Sequence, residues 1–399
     1  MRERPLILIV DDEPFNVDYL EQELEELGYD TIAAGDGLVA LEQVATAAPD
    51  VVLLDIMMPR MDGFEVLARL RNDPGARQLP VIVISAMDDL NSIARGIELG
   101  ADDYLPKPFE PAILQARLGS SIEKKRLRDQ EQRYLQSLER DLEIGRQIQA
   151  GFLPSAIPQP HNWEIAAHFA AAREVAGDFY DAFALPDTGR VGLILGDVSD
   201  KGVGAALFMT LFRSLLRAAV NPDALGAFAT GRTATDADYL QHSVQLTNNY
   251  IARMHGDTGM FATLFFGLLD PAGGTLRYIN AGQEPGIVAN AGGIKRLLTA
   301  TGPAVGVIEG MEFPVFETVL APGDLLLLFS DGVTDAENEA HEFFSRERLL
   351  AQLEPFPTSA EGLLRRIDQR LAEHAAGMKQ FDDITLLAAY NSPAGPPGK

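Results

Sequence analysis

The sequence predicts an α/β, doubly wound, five-stranded parallel domain, then a long helix, then an α+β domain of mainly antiparallel sheets. Three observations predict this. Five short apolar runs alternate with intervening amphipathic stretches over residues 6–110, about a hundred residues. No proline interrupts the stretch between Pro111 and Pro154, which carries helical spacing throughout. Beyond the proline-rich LPSAIPQP at 153–160, short β-like runs return, with only two helical stretches, at 202–219 and 237–254.

The N-terminal strands are LILIV (6–10), TIAA (31–34), VVLLD (51–55), VIVIS (81–85) and DYLPK (103–107). Continuous apolar runs of this length are the pattern of strands buried on both faces. Val17, Leu20, Leu24 and Leu27 recur at helical spacing between the first two, and Gly28 stops that helix. In the second domain, VGLILGD, FATLFFGLLD, TLRYINAG, GIVANAG and DLLLLFSDG are strands, and PAGG (271–274) joins two of them as a hairpin. The expected boundaries are 1–121, a helical linker at 122–153, 154–391, and a disordered tail at 392–399.

Composition narrows the class of function. A chain of 399 residues exceeds what one core usually serves. The net charge of −25 argues against nucleic acid or an anionic membrane as partner, since the one dense basic run is KKRLR at 124–128. The absence of cysteine removes disulfides, thiolate zinc sites and cysteine nucleophiles. The start, MRERPLILIV, is unlike a signal peptide, and no apolar run approaches a spanning length, so a cytoplasmic protein is expected.

Asp11 and Asp12 follow the first strand, Asp55 ends the third, Ser85 the fourth and Lys107 the fifth. In a doubly wound sheet the strand C-terminal ends hold the ligand site, so these residues converge. Three carboxylates so close call for a hard divalent cation, and Mg²⁺ leaves positions open to phosphate oxygens. A carboxylate nucleophile, a metal, a hydroxyl and a lysine suffice to accept a phosphoryl group. With VDDE, LLDIMMPRMDGFE, VIVISA and GADDYLPKPF, the stretch of about 5–120 resembles the receiver domain of two-component response regulators. The resemblance implies Asp55 as phosphoacceptor, Asp11 and Asp12 as Mg²⁺ ligands with Asp55, and Ser85 and Lys107 on the phosphoryl group. It also implies Tyr104 as a switch aromatic and a histidine kinase as donor.

VGLILGDVSDKG (191–202) raises a second question, because an apolar run there ends in Asp197. The order of lysine and glycine is wrong for a phosphate-binding P-loop. Further aspartates expected at strand ends, each following an apolar run, are Asp178 in VAGDFYD, Asp331 in FSDGVTD, and Asp382 and Asp383 in FDDIT, with no histidine or cysteine beside them. An all-oxygen set selects Mg²⁺ or Mn²⁺, and two such ions lower the pKa of a water and stabilise an in-line displacement at phosphorus. EVAGDFYD, GDVSDKGVGAALFM, MFATLFFGLLD, NAGQEP, PGDLLLLFSDGVTDAEN and FDDITLL together resemble the metal-dependent PP2C-type serine/threonine phosphatases. The closer resemblance is to the bacterial subfamily acting on anti-sigma-factor antagonists, with EIGRQIQAGFLP resembling its regulatory helix.

That resemblance spans about 144–391 and implies two stacked antiparallel sheets flanked by helices. It implies Asp197 bridging two metals, helped by the Val198 carbonyl, with Asp331 and Asp382 on one metal, Asp178 on the other, and Asp383 in support. Ala176, Asp200 and Gln283 depart from the family's usual glycine, glycine and histidine, and none is an implied ligand.

Two readings of the whole follow. One is a response regulator whose output is hydrolysis of a phosphorylated protein, with sigma-factor regulation as consequence. The other is a non-catalytic regulator that sequesters or delivers a protein partner on the phosphatase fold. The linker is either a solvated spacer or a dimer-forming coiled coil. Its Leu135, Leu138 and Leu142 seam would pair two chains into a homodimer, and a second stripe, Ile144, Ile148 and Phe152, would dock on the next domain.

Overall fold

The computed structural model describes residues 4–86, 90–185, 188–220 and 235–393, so most of the expected tail lies outside the described residues. Two compact units divide at Glu139/Arg140, inside one long helix.

In the first unit, strands β1 (Leu6–Val10), β2 (Asp30–Ala34), β3 (Val51–Asp55), β4 (Val81–Ala86) and β5 (Asp103–Lys107) form a parallel sheet in the order β2-β1-β3-β4-β5. Helices α1 (Pro14–Glu26), α2 (Gly37–Ala47), α3 (Gly63–Asn72) and α4 (Leu90–Glu98) connect them. Every residue of β1 and β3 is buried. One face of the sheet, through Leu8, Val10, Val52 and Leu54, packs with Phe64, Val66 and Leu67 of α3. The other face, through Ile7, Ile9, Leu53 and Ile84, packs with Leu20 and Leu24 of α1 and with Leu114 and Leu118 of the long helix. Burial on both faces explains the uninterrupted apolar runs.

Helix α5 runs unbroken over Pro111–Ala150. Leu135 and Leu138 are exposed along it.

The second unit holds two five-stranded antiparallel sheets. One has the order β13-β10-β9-β8-β7, from β7 (Phe179–Ala184), β8 (Val191–Val198), β9 (Ala262–Asp270), β10 (Thr275–Ala281) and β13 (Phe316–Val319). The other has the order β12-β11-β14-β15-β6, from β6 (Trp163–Ala170), β11 (Gly286–Asn290), β12 (Gly293–Leu298), β14 (Leu325–Phe329) and β15 (Ile384–Asn391). Leu193, Leu195, Phe265 and Leu276 of the first sheet meet Val288, Leu326, Leu328 and Leu387 of the second. The outer face of the first sheet is covered by α6 (Val203–Ala219) and α7 (Asp236–His255). The outer face of the second is covered by α9 (Ser345–Ala351) and α10 (Ala360–Ala375), and a short α8 (Asp331–Thr334) follows β14. The four layers are therefore helix, sheet, sheet, helix. β8 lies between a sheet and a helical layer, so Leu193 and Leu195 face one core while Ile194 and Val198 face the other.

Candidate active sites at two strand-end carboxylate clusters

In the first unit the register of β1 on β3 sets Val10 opposite Leu54, so the residues that follow them meet. Carboxylate oxygens of Asp11, Asp12 and Asp55 lie within 4.8 Å of one another. Asp11 and Asp55 are buried and Asp12 is exposed. From the end of β5, the Lys107 ammonium lies 3.0 Å from both Asp11 Oδ2 and Asp55 Oδ1. Burial pushes the Asp55 carboxyl up from its ordinary value, partly offset by Lys107. Burial alone would lower Lys107, but hydrogen bonds to Asp55 and Asp11 hold it above its usual range.

Ser85 is buried at the end of β4. Tyr104 is half-buried, with the Arg117 guanidinium of α5 5.1 Å from its ring centre. Gly63 lets α3 start against this site, because a Cβ there would come within 2.2 Å of the Asp55 carbonyl oxygen.

The second cluster draws on both sheets of the sandwich. Asp178 precedes β7 and Asp197 lies within β8, where Phe179 pairs with Gly196. Asp331 follows β14, and Asp382 and Asp383 precede β15, where Phe329 pairs with Leu386. The expectation that each aspartate follows its strand therefore needs correction for Asp178, Asp382 and Asp383. Antiparallel strands bring starts and ends to the same edge of a sheet, so both kinds of position supply one cleft.

Five carboxylates here act on one another. Asp178 is almost fully buried, and its Oδ2 accepts the Thr385 hydroxyl at 2.6 Å. Burial, then the Asp197 charge, holds the Asp178 carboxyl well above its ordinary range, against hydrogen bonds from Thr385 and Ser330. Burial, with Asp331, Asp382 and Asp383 nearby, pushes Asp197 up to about 7, against a hydrogen bond with Asp178. Burial and the Asp382 charge raise Asp331. The donor set is all oxygen, and its excess of negative charge suits a hard divalent cation.

Asp383 is placed differently. Its Oδ1 accepts the Ala172 N–H at 2.8 Å, and its Oδ2 accepts those of Gly177 at 2.8 Å and Asp178 at 3.4 Å. Its carboxylate thus pins the loop that carries Asp178. A Cβ on Gly332 would come within 2.0 Å of the Asp383 carbonyl oxygen, so only glycine lets α8 and the 382–383 segment meet here.

Three side chains escape sequence reasoning. The Gln149 amide, buried at the end of α5, donates to the Ala176 carbonyl at 2.7 Å and accepts the Ala176 N–H at 3.0 Å. Lys201 lies 2.8 Å from Asp382 Oδ2. The buried Asp181 takes Arg213 at 2.9 Å and Arg217 at 3.2 Å. The expected docking stripe also shifts, because Ile144 and Ile148 are exposed. The face turned inward is Leu142, Gly145, Gln149 and Phe152, with Gly145 close to Val175. A Cβ at position 145 would meet Val175 at 3.7 Å, an ordinary contact, and glycine there adds nothing to an apolar stripe.

The three departures also have structural places. Ala176 is the partner of Gln149. Asp200 holds a positive φ of 75°, a conformation glycine adopts more readily. Gln283 is buried, accepts the Thr263 hydroxyl and donates to the Phe329 carbonyl at 3.3 Å, joining β9 to the end of β14.

A family model described as Stage II sporulation protein E (SpoIIE) matches residues 187–391, just over half of the chain. The chain belongs to the SpoIIE family. Ahead of that PP2C-like domain, a response regulator receiver domain model matches residues 7–119. The SpoIIE-family chain is 45% identical over 265 residues to Protein IcfG of Synechocystis sp., covering 63% of this chain and 42% of that protein. It is 45% identical over 114 residues to Response regulator PleD of Caulobacter vibrioides, covering 29% of this chain and 25% of that protein. The chain thus spans less than half the length of these two relatives. The solved SiaA-PP2C domain of Pseudomonas aeruginosa covers 64% of this chain and 97% of its own, with a TM-score of 0.50 and 20% identity, a likeness of fold. Among the described residues no helix is long and apolar enough to cross a membrane.

Proposed function

We propose that this chain is a response regulator whose SpoIIE-family domain hydrolyses phosphoserine or phosphothreonine on a protein, under control of phosphorylation at Asp55. The observation that carries the proposal is the cleft of coupled, largely buried carboxylates around Asp197, a set that is costly without cations.

In the receiver, an Asp55 carboxylate oxygen attacks the phosphorus of a phosphohistidine on a histidine kinase, and the P–N bond breaks as the P–O bond forms. Lys107, already 3.0 Å from Asp55, meets the charge of the phosphoryl group, with the Ser85 hydroxyl as a further partner. Asp11, Asp12 and Asp55 would hold Mg²⁺. Tyr104 and Ser85 would carry the change to the face next to α5.

In the cleft, Asp197, helped by the Val198 carbonyl, would hold two Mn²⁺ or Mg²⁺ ions together with Asp331, Asp382 and Asp178. Such ions supply a water of lowered pKa and positive charge against the phosphoryl oxygens. Thr385 and Ser330 hold Asp178 in place, and Asp383 fixes its loop. The exposed Leu135 and Leu138 would pair two copies through α5, giving a homodimer whose helix transmits the receiver's state. The substrate class is an anti-sigma-factor antagonist in the cytoplasm, by resemblance to the subfamily named above. The working division is 1–121, 122–153 and 154–391.

The test is turnover of p-nitrophenyl phosphate and a phosphoserine peptide by the full chain in Mn²⁺. Asp197→Asn is expected to lower the rate by roughly three orders of magnitude or more while the fold persists. Activity undiminished in chelator, or no turnover of either compound, would overturn the proposal; the latter outcome favours the sequestering regulator.

A further inference from the structure

Among the described residues, the one ion pair made by any of the five cleft aspartates is that between Asp382 and Lys201. The Lys201 ammonium is held by three different groups. It lies 2.8 Å from Asp382 Oδ2, donates to the Phe381 carbonyl at 3.1 Å and sits 4.0 Å from the centre of the Phe381 ring. A carboxylate, a carbonyl dipole and a ring face each attract a cation, so together they define one location for it.

The two partners flank strands of different sheets. Lys201 stands in the turn from β8 into α6, three residues after Val198, and Asp382 stands just before β15. The contact therefore ties the two sheets together at the edge where the carboxylates gather. Lys201 also follows Asp200, whose positive φ gives the turn its shape and whose Oδ1 accepts the Lys201 N–H at 2.8 Å.

We infer that Lys201 is a built-in counter-ion that competes with the divalent cation for Asp382, so that filling the cleft requires this lysine to give up its place. The inference rests on the reading of the cleft as a metal centre. Its physical basis is direct. A dication shares Asp382 poorly with an ammonium already bonded to one of its oxygens, because the two cations repel at short range. Lys201 thus neutralises part of the cleft when no metal is bound and lowers metal affinity. It makes metal uptake and the release of the Lys201 ammonium from Asp382 one linked event.

The opposite role, a lysine that orients Asp382 toward the metal, makes the opposite prediction. Removing an orienting partner weakens metal binding, whereas removing a competitor strengthens it.

The test is a Mn²⁺ titration of the full-length chain, following free Mn²⁺ by electron paramagnetic resonance, for the native protein, Lys201→Met, Lys201→Arg, Asp382→Asn and the Lys201→Met/Asp382→Asn double variant. The receiver's own binding is common to all five and cancels. Lys201→Met is expected to tighten the weaker cleft site about tenfold, a modest effect because the ammonium is partly solvated. Lys201→Arg keeps the charge and is expected to stay within about twofold of native. In the Asp382→Asn background, Lys201→Met is expected to change nothing. Unchanged or weaker binding in Lys201→Met overturns the inference, as does equal tightening with Asp382→Asn present. If the native protein and Lys201→Met both bind no Mn²⁺ beyond the receiver's single ion, the metal centre itself is overturned, and the competition with it.

Discussion

The Gln149 side chain makes a two-way amide pair with the backbone of Ala176, donating at 2.7 Å and accepting at 3.0 Å. Gln149 is on α5, and Ala176 is two residues before Asp178. The far side of the same loop is held by Asp383 through the N–H groups of Ala172 and Gly177. The loop that presents Asp178 is therefore gripped from one side by the helix and from the other by the strand segment next to Asp382. A shift of α5 has a short path to the cleft through one side chain.

Replacing Gln149 with alanine leaves a buried N–H and C=O without partners, at a cost of about 1–3 kcal/mol. Gln149→Ala is expected to lower kcat about tenfold or more, because Asp178 loses its fixed place. KM for p-nitrophenyl phosphate is expected to change little. An unchanged kcat would show that the grip has no catalytic role.

Gly332→Ala tests the closest backbone approach in the cleft. Its Cβ would lie 2.0 Å from the Asp383 carbonyl oxygen, so the backbone must move. Overpacking of this kind costs about 1–3 kcal/mol, and the shift would separate Asp331 from Asp382. Denaturant unfolding and Mn²⁺ affinity are both expected to fall. Stability and affinity equal to the native protein would mean that the contact relaxes freely.

The pH dependence follows from the raised carboxyls. Asp197 titrates at about 7 when folded without metal, against 3.8 in its reference state, so over that window the folded chain holds a proton that the unfolded chain releases. Metal-free stability contributed by Asp197 is accordingly present at low pH and lost as pH rises toward 7. Asp178 and Asp331 act in the same direction. A cation displaces that proton, so stabilisation by Mn²⁺ must grow with pH. Thermal unfolding with and without Mn²⁺ is expected to show a larger increment at about pH 8 than at about pH 5.5, reaching roughly 2.7 kcal/mol at a hundredfold excess over Kd. An increment that is flat or larger at the lower pH would contradict this.

The receiver fold was legible because strands buried on both faces give runs such as VVLLD, with the functional side chain at the end of the run. The cleft aspartates were also visible beside apolar runs, but their true positions relative to the strands were not. Antiparallel pairing places Asp178 and Asp382 before their strands, and nothing local in GDFYD or FDDIT distinguishes that from a strand end. Gln149 was hidden for a different reason. It forms its contact on a helix face with Gly145, so neither residue adds to an apolar stripe, and the more hydrophobic Ile144 and Ile148 suggest the wrong face. Thr385, Ser330 and Lys201 are ordinary residues whose importance comes from what the fold sets beside them.

Control of the cleft by the receiver is tested most directly by the phosphatase rate of the full-length protein in Mn²⁺ on a phosphoserine peptide, with and without acetyl phosphate. Light scattering on the same samples reports mass, and Asp55→Asn serves as the control. The phosphodonor is expected to raise mass toward a dimer and to change the native rate at least about fivefold, the low end of ordinary coupling free energies. Asp55→Asn is expected to show neither change. A native rate and mass indifferent to the phosphodonor, or a response that survives in Asp55→Asn, would contradict the claim that the receiver controls the cleft.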